Sequence, residues 1–301
     1  PAAAPRPGPG ARGPALTWDE TSTVMEAATK AAREPSHPRV VAINAASAYH
    51  VGGGVLTGGR HALEEAWCTI STLLHGLQEV QWEEVLGRQA DVSAPAAQPQ
   101  GGEGRHGQRM HIPVDGCIVS PDVVIFREAS SKGYAFQAQE TKLTGVCSVA
   151  MFNMNPRVSD SPVDAPRSFE LYCKQIKQKF RAIVAGAVEL NAEVLICPDV
   201  GCGVFENDPD VVGTMLGEVL RERPGAIPRV VLTGKAEFAS AAKRAESGQL
   251  PEPPLQKSSY FSGPDAEADV CGNPTGLAWP ADPAAPAVNS LASQGAAGAA
   301  G

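Results

Sequence analysis

A chain of 301 residues with 43% apolar content is long enough for one large domain or two small ones with a sizeable core. Its 31 Gly and 26 Pro exceed what a compact domain needs and point to low-complexity segments. A net charge of −8 argues against a sequence-independent grip on nucleic-acid phosphates, so no direct nucleic-acid partner is expected; a nucleotide ligand stays open, because backbone amides bind phosphate without Lys or Arg.

Residues 1–16 are Ala/Pro/Gly-rich and read as disordered. Thr17–Arg33 follows as a helix, and Val40–Ala45 as a short apolar strand. Gly59–Val80 reads as a helix with Leu63, Ala66, Trp67, Ile70, Leu74 and Leu77 on its apolar stripe. Residues 93–109 look like a disordered insertion. Gly116–Ser120 and Val123–Arg127 are strand-like around Pro121, and Gly145–Phe152 is a strand candidate. Ser168–Leu190 is a long amphipathic helix, Val194–Pro198 a buried strand, Asp208–Glu222 a helix and Arg229–Thr233 another buried strand. Residues 247–301 hold few large apolar groups and are expected to be a dispensable disordered tail. One domain over residues 17–246 is predicted, with a mixed sheet covered by helices on both faces. Ligands of such sheets bind at loops beyond the carboxyl ends of the strands.

Two of those loops carry the functional signal. The first runs from Asn44 through Gly52-Gly53-Gly54 and Gly58-Gly59 to Leu63-Glu64-Glu65. So many glycines are entropically unfavourable unless positive φ angles or close backbone approach require them. A tight turn with two acids complementing the helix dipole would explain the same residues. Neighbouring helical residues diverge by about 100°, so Glu64 and Glu65 are ill placed to straddle a glycosidic bond. A division of labour fits better, with one carboxylate transferring a proton and the other accepting hydrogen bonds from sugar hydroxyls.

The second loop is Gly201-Cys202-Gly203-Val204-Phe205-Glu206-Asn207-Asp208-Pro209. Its amides are suited to an anion-binding concavity, Asn207 or Asp208 to capping the next helix, and Phe205 to stacking on a nucleoside. A plain strand-to-helix turn with Phe205 in the core is the alternative.

These segments resemble the microbial-type poly(ADP-ribose) glycohydrolases of the macrodomain superfamily. In that family a Gly-Gly-Gly loop precedes Gln-Glu-Glu; here Leu63 stands in place of the Gln. Asn44-Ala45-Ala46-Ser47 is similar to the family's Asn-Ala-Ala-Asn opening, with Ser47 for the second Asn. The second loop matches a Gly-Cys-Gly-aliphatic-Phe-x-Asn-x-Pro run, with Val200 in place of the family's Trp. Ser120-Pro121-Asp122-Val123, Phe126-Arg127 and Asn155-Pro156 fall in the same order as in the family.

The resemblance implies a three-layer α/β/α macrodomain-like fold and hydrolysis of the ribosyl bond in poly(ADP-ribose) or ADP-ribosylated protein. It implies Glu65 as general acid/base, protonated near neutral pH, and Glu64 as the residue holding the ribose. Asn44, Gly52, Gly53, Gly54, Asn155, Gly201, Cys202, Gly203, Val204 and Phe205 are the implied substrate-binding set. A non-catalytic ADP-ribose reader is the alternative, favoured by Leu63 and Ser47.

The six His show no metal-ligand spacing, and no cofactor or metal is expected. Seven Cys without a C-x-x-C read as reduced core thiols and place the chain inside the cell, in cytoplasm or nucleus. No apolar run is long enough to span a bilayer, so no membrane partner is expected. A monomer is expected. The first residue is Pro1 and not Met, as a fragment of a longer protein would begin.

Overall fold

The computed structural model describes residues 13–58, 62–80, 110–158, 161–249, 259–262 and 288–290. Strand β1 (Ala15–Trp18) leads into helix α1 (Val24–Ala32), and β2 (Val40–Ala45) into α2 (Leu63–Ile70) and α3 (Leu73–Glu79). Strands β3 (Cys117–Pro121), β4 (Val124–Arg127), β5 (Phe136–Lys142) and β6 (Gly145–Val149) follow. The C-terminal half adds α4 (Phe169–Glu189), β7 (Val194–Cys197), α5 (Pro209–Glu222), β8 (Arg229–Leu232), α6 (Ala236–Glu246) and a short β9 (Val288–Ser290).

The central sheet has the order β1-β8-β7-β2-β6-β3-β9. Its pairs are parallel except β3 against β6, so the expected mixed sheet is what forms. Alternate residues of β2 face opposite layers. Val41 and Ile43 join a core with α4, α5 and α6, while Val40 and Ala42 join one with α1, α2 and α3. This is the three-layer α/β/α arrangement. The carboxyl ends of β2 and β7 are neighbours in the sheet, which brings the two glycine loops to the same edge.

Several boundaries differ from the sequence expectation. Ala15–Trp18 is a strand paired with Arg229–Leu232, not disordered chain and the start of a helix. The helix begins after Thr23, whose side chain accepts from the Glu26 amide while Glu26 accepts from the Thr23 amide. The expected helix over 59–80 is broken at Ser71–Thr72. Ser71 bridges Ile125, its hydroxyl donates to the Trp67 carbonyl, and the Thr72 amide donates to Val124. β4 leaves the central sheet and pairs with β5 in a separate hairpin.

The tail is also corrected at two places. Phe261 is buried among Phe169, Tyr172 and Tyr260, with ring centroids 5.0–5.2 Å away, and β9 pairs with β3. Two aromatic residues in an otherwise small and polar stretch are enough to dock it. The insertion expected over 93–109 lies outside the described residues.

Candidate active site

The first loop is built around the two carboxylates. Both glutamates are buried, although they sit in the first turn of α2, where acids normally face solvent. Glu64 accepts from the Ser47 amide at 2.7 Å through Oε2 and from the Gly52 amide at 3.1 Å through Oε1. Glu65 accepts from the Gly54 amide at 2.7 Å through Oε1. Of the four carboxylate oxygens, Glu65 Oε2 alone is buried without a hydrogen-bond partner among the described residues.

This geometry explains the glycines. Gly52 and Gly53 have φ of 74° and 58°, the left-handed region that other residues disfavour. A Cβ on Gly53 would lie 2.4 Å from Glu65 Oε1 and 3.2 Å from Glu64 Oε2. The close approach is therefore to the protein's own carboxylates. The Gly52 and Gly54 amides are engaged by the glutamates, and that of Gly53 by the His50 carbonyl. Ser47, where the family has Asn, ties the turn with its hydroxyl, which accepts from the Tyr49 and His50 amides.

Burial pushes the Glu64 carboxyl up to about 8; the Ser47 and Gly52 amides oppose this, and the neighbouring Glu65 charge adds to it. Glu64 is thus the group that burial keeps protonated at neutral pH. The same surroundings, with desolvation first, push the Cys68 thiol up to about 12 and leave it inert as a nucleophile. Asn44 is fully buried, its Nδ2 donating to Ser148 Oγ at 3.1 Å, so it braces β2 against β6.

The second loop is the open half. Gly201 has φ of 75° and its Cβ would strike Met151 at 2.5 Å, so this glycine serves the turn. Gly203 has no positive φ, and a Cβ there would meet nothing within 4 Å; its bare surface faces open space. The Cys202 amide is used by the Asp199 carbonyl, and the Glu206 and Asn207 amides by Gly203 and Gly201. The amides of Gly203, Val204 and Phe205 donate to no group among the described residues. Phe205 is half-buried and takes no part in the core clusters, so its ring does not anchor the turn from inside. Asp208 caps α5 by accepting from the Asp210 and Val211 amides.

Residues that sequence reasoning did not assign hold this loop in place. Asn207 Nδ2 donates to the Phe152 and Gly201 carbonyls, and its Oδ1 accepts from the Tyr172 hydroxyl at 2.6 Å. Lys235 donates to the Cys202 carbonyl at 2.7 Å. Asn155, predicted to touch ligand, donates to the Val204 carbonyl at 2.9 Å and so grips the loop from behind. A cavity of about 340 Å³ adjoins Gly203, walled by Tyr172, Phe261, Asn207 and Lys235. The one available signal for Lys235 was its place directly after a buried strand; Asn207 had been read only as a cap.

Among the described residues no group of three His, Cys, Asp or Glu is placed to hold a metal ion, and no helix is long and apolar enough to cross a membrane.

Residues 17–128, which include the first loop and both glutamates, match the family model described as "Microbial-type PARG, catalytic domain". No curated protein matches the chain. Among solved structures, the chain is similar to poly(ADP-ribose) glycohydrolase from Deinococcus radiodurans in complex with ADP-ribose, at 25% identity and a TM-score of 0.56, over 79% of this chain and 87% of that one. It is also similar to the enzyme from Thermomonospora curvata, at 22% identity and a TM-score of 0.56, over 82% of this chain and 79% of that one. The latter protein bound to the inhibitor ADP-HPD matches at 22% identity and a TM-score of 0.54, over 78% of this chain and 79% of that one. The resemblance to microbial-type poly(ADP-ribose) glycohydrolases thus holds in fold and in the segment that carries the two glutamates.

Proposed function

We propose that the chain is an ADP-ribose glycohydrolase that cleaves the ribosyl glycosidic bond of poly(ADP-ribose) or of ADP-ribosylated protein. The observation that carries this reading is the arrangement of the two carboxylates, with three of four oxygens each accepting from a main-chain amide and Glu65 Oε2 left for a substrate. The matched family model covers the same residues.

In this reading the diphosphate lies on the unused amides of Gly203, Val204 and Phe205, where it needs no cationic side chain. Phe205 offers its ring to the adjoining nucleoside. The distal ribose meets the carboxylate pair. Glu65 Oε2 transfers the proton to the departing ribosyl oxygen; the C–O bond breaks to give an oxocarbenium-like ribosyl group. The Glu65 carboxylate then takes a proton from the water that attacks the anomeric carbon, and the acid is restored. Glu64, locked by Ser47 and Gly52, fixes the ribose hydroxyls.

The test is incubation with labelled poly(ADP-ribose) and, separately, with mono-ADP-ribosylated protein. Released ADP-ribose is expected from at least one of them. Binding of ADP-ribose without release from either would make the protein a reader, and absence of binding would overturn the assignment of the pocket.

A further inference from the structure

The two glycine loops are joined by a continuous chain of buried and half-buried polar contacts outside the carboxylate pair. Tyr49, in the turn of the first loop, directs its hydroxyl to Asp164 Oδ2 at 3.2 Å. Asp164 Oδ1 accepts from the Asn153 amide at 2.7 Å, and the Asp164 amide donates back to the Asn153 carbonyl at 3.2 Å. Asn153 Oδ1 accepts from the Asn155 amide at 2.9 Å, and its Nδ2 donates to the Ser161 carbonyl. Asn155 Nδ2 and the Met154 amide then donate to the Val204 and Phe205 carbonyls at 2.9 and 3.0 Å. Those two residues carry free amides of the second loop.

Asp164 is a half-buried carboxylate, and desolvation opposes its charge while the Asn153 amide, Lys179 and Tyr49 favour it. Lys179 comes from the middle of α4, is itself fully buried, and places its ammonium 4.4 Å from the Phe152 ring centroid. Buried charges are costly compared with apolar packing, and such groups are retained where they fix a geometry. Here the fixed geometry is the spacing between the acid end and the phosphate end. Tyr49 lies beside His50, whose carbonyl holds the Gly53 amide, and two residues from Ser47, whose amide holds Glu64.

We propose that Asp164 is a positioning residue that sets the separation and alignment of the two glycine loops, acting on the first through Tyr49 and on the second through Asn153 and Asn155, with Lys179 as its buried counter-charge. The inference rests on the glycohydrolase reading for its effect on rate, but its mechanical part stands apart from it. A misalignment of about 1 Å between substrate and acid lowers turnover by up to about a hundredfold.

The test compares Tyr49→Phe, Asp164→Asn and the double variant with the full chain. With poly(ADP-ribose), kcat is expected to fall at least tenfold in each single variant while KM changes less than threefold. The Tyr49→Phe effect should largely vanish in the Asp164→Asn background, because both act through one contact. Single-variant kcat values within twofold of the wild type, or fully additive losses, would overturn the proposal. Amide hydrogen exchange gives a readout that needs no substrate. In Asp164→Asn, the Gly52, Gly54 and Met154 amides should exchange at least tenfold faster, whereas unchanged rates at Gly52 and Gly54 would overturn the coupling. If the wild type releases no ADP-ribose, it is the functional reading that fails, and exchange alone decides the positioning role. If Asp164→Asn does not fold, Tyr49→Phe carries the same test at Gly52 and Gly54.

Discussion

Replacing Gly53 by Ala separates the chemistry from ligand binding. The backbone there has φ of 58°, which disfavours an L side chain by about 1–2 kcal/mol. In a domain of this size each kcal/mol moves Tm by roughly 2–4 °C, so strain alone predicts a loss of roughly 2–8 °C. The added Cβ would stand 2.4 Å from Glu65 Oε1, where ordinary contact begins at 3.4 Å, so the carboxylate must move by about 1 Å. Movement breaks its bond to the Gly54 amide and swings Oε2 away from the glycosidic oxygen. A displacement of that size predicts a fall in kcat of about a hundredfold. ADP-ribose affinity should stay within about fivefold, or ~1 kcal/mol, because the phosphate amides lie on the other loop. Gly203→Val is the counterpart. Its Cβ meets nothing within 4 Å and its φ is ordinary, so Tm should hold while ADP-ribose binding is lost. Initial rates of ADP-ribose release, calorimetric Kd and thermal melts on protein checked by circular dichroism give the comparison. A Gly53→Ala protein with kcat within threefold of the wild type would refute the placement of the acid, and a folded Gly203→Val protein with wild-type affinity would reduce the second loop to a structural turn.

Glu65→Gln should abolish turnover and keep ADP-ribose affinity within about tenfold, or ~1.4 kcal/mol; cleavage at the wild-type rate would reassign the acid. Glu64 has a folded pKa of about 8 against 4.5 unperturbed, so the folded protein holds a proton that the unfolded chain releases. Its stabilising contribution is therefore complete below pH 4.5 and is lost as pH rises towards 8, by up to about 1.4 kcal/mol per pH unit. Urea unfolding between pH 5 and 8 should show a shallower decline in Glu64→Gln, and parallel profiles would contradict the burial argument. Removal of residues 250–301 takes away Phe261 and uncovers Phe169 and Tyr172; losing one buried aromatic is worth about 1.5–3 kcal/mol, or roughly 3–12 °C in Tm. An unchanged melt would return the tail to the dispensable segment that its composition suggests.

The parts of the fold legible in the sequence were those with strong local signals. Val40–Ala45, Val194–Cys197 and α4 appear where apolar runs and 3.6-residue periodicity put them. The two loops were legible because five closely spaced glycines beside two acids, and a glycine pair before a cap and a proline, are rare in ordinary turns. What was missed depended on partners distant in sequence. Thr17-Trp18 looks helical until β8 offers Val231 and Leu232 as neighbours. The break at Ser71 exists only because Ile125 bridges it. The exposed, charged strand β5 and the alanine-rich helix α6 carry weak patterns of their own. The reason for the glycines was also out of reach, since no spacing rule says that Gly53 makes room for Glu64 and Glu65 rather than for a ligand. Tyr49, Asn153 and Asp164 gave no motif at all, because their roles lie in contacts spanning up to 115 positions of sequence.

Whether such a pocket cuts or only binds turns on what a binding pocket would keep. Phosphate recognition by the free amides of Gly203, Val204 and Phe205 places no demand on Glu65. A buried carboxylate oxygen without a partner costs about 1–3 kcal/mol, and a second acid beside it adds repulsion. A pocket built to hold ADP-ribose alone would gain stability from a neutral or apolar residue at this position. The two departures from the family pattern in the first loop do not weigh against catalysis. Leu63 packs against the core that includes α2 and α3, and Ser47 supplies both an amide to Glu64 and an acceptor to the turn. The retained, unsatisfied Glu65 Oε2 is the feature with no use in a reader, and a departing ribosyl oxygen is the partner that would give it one.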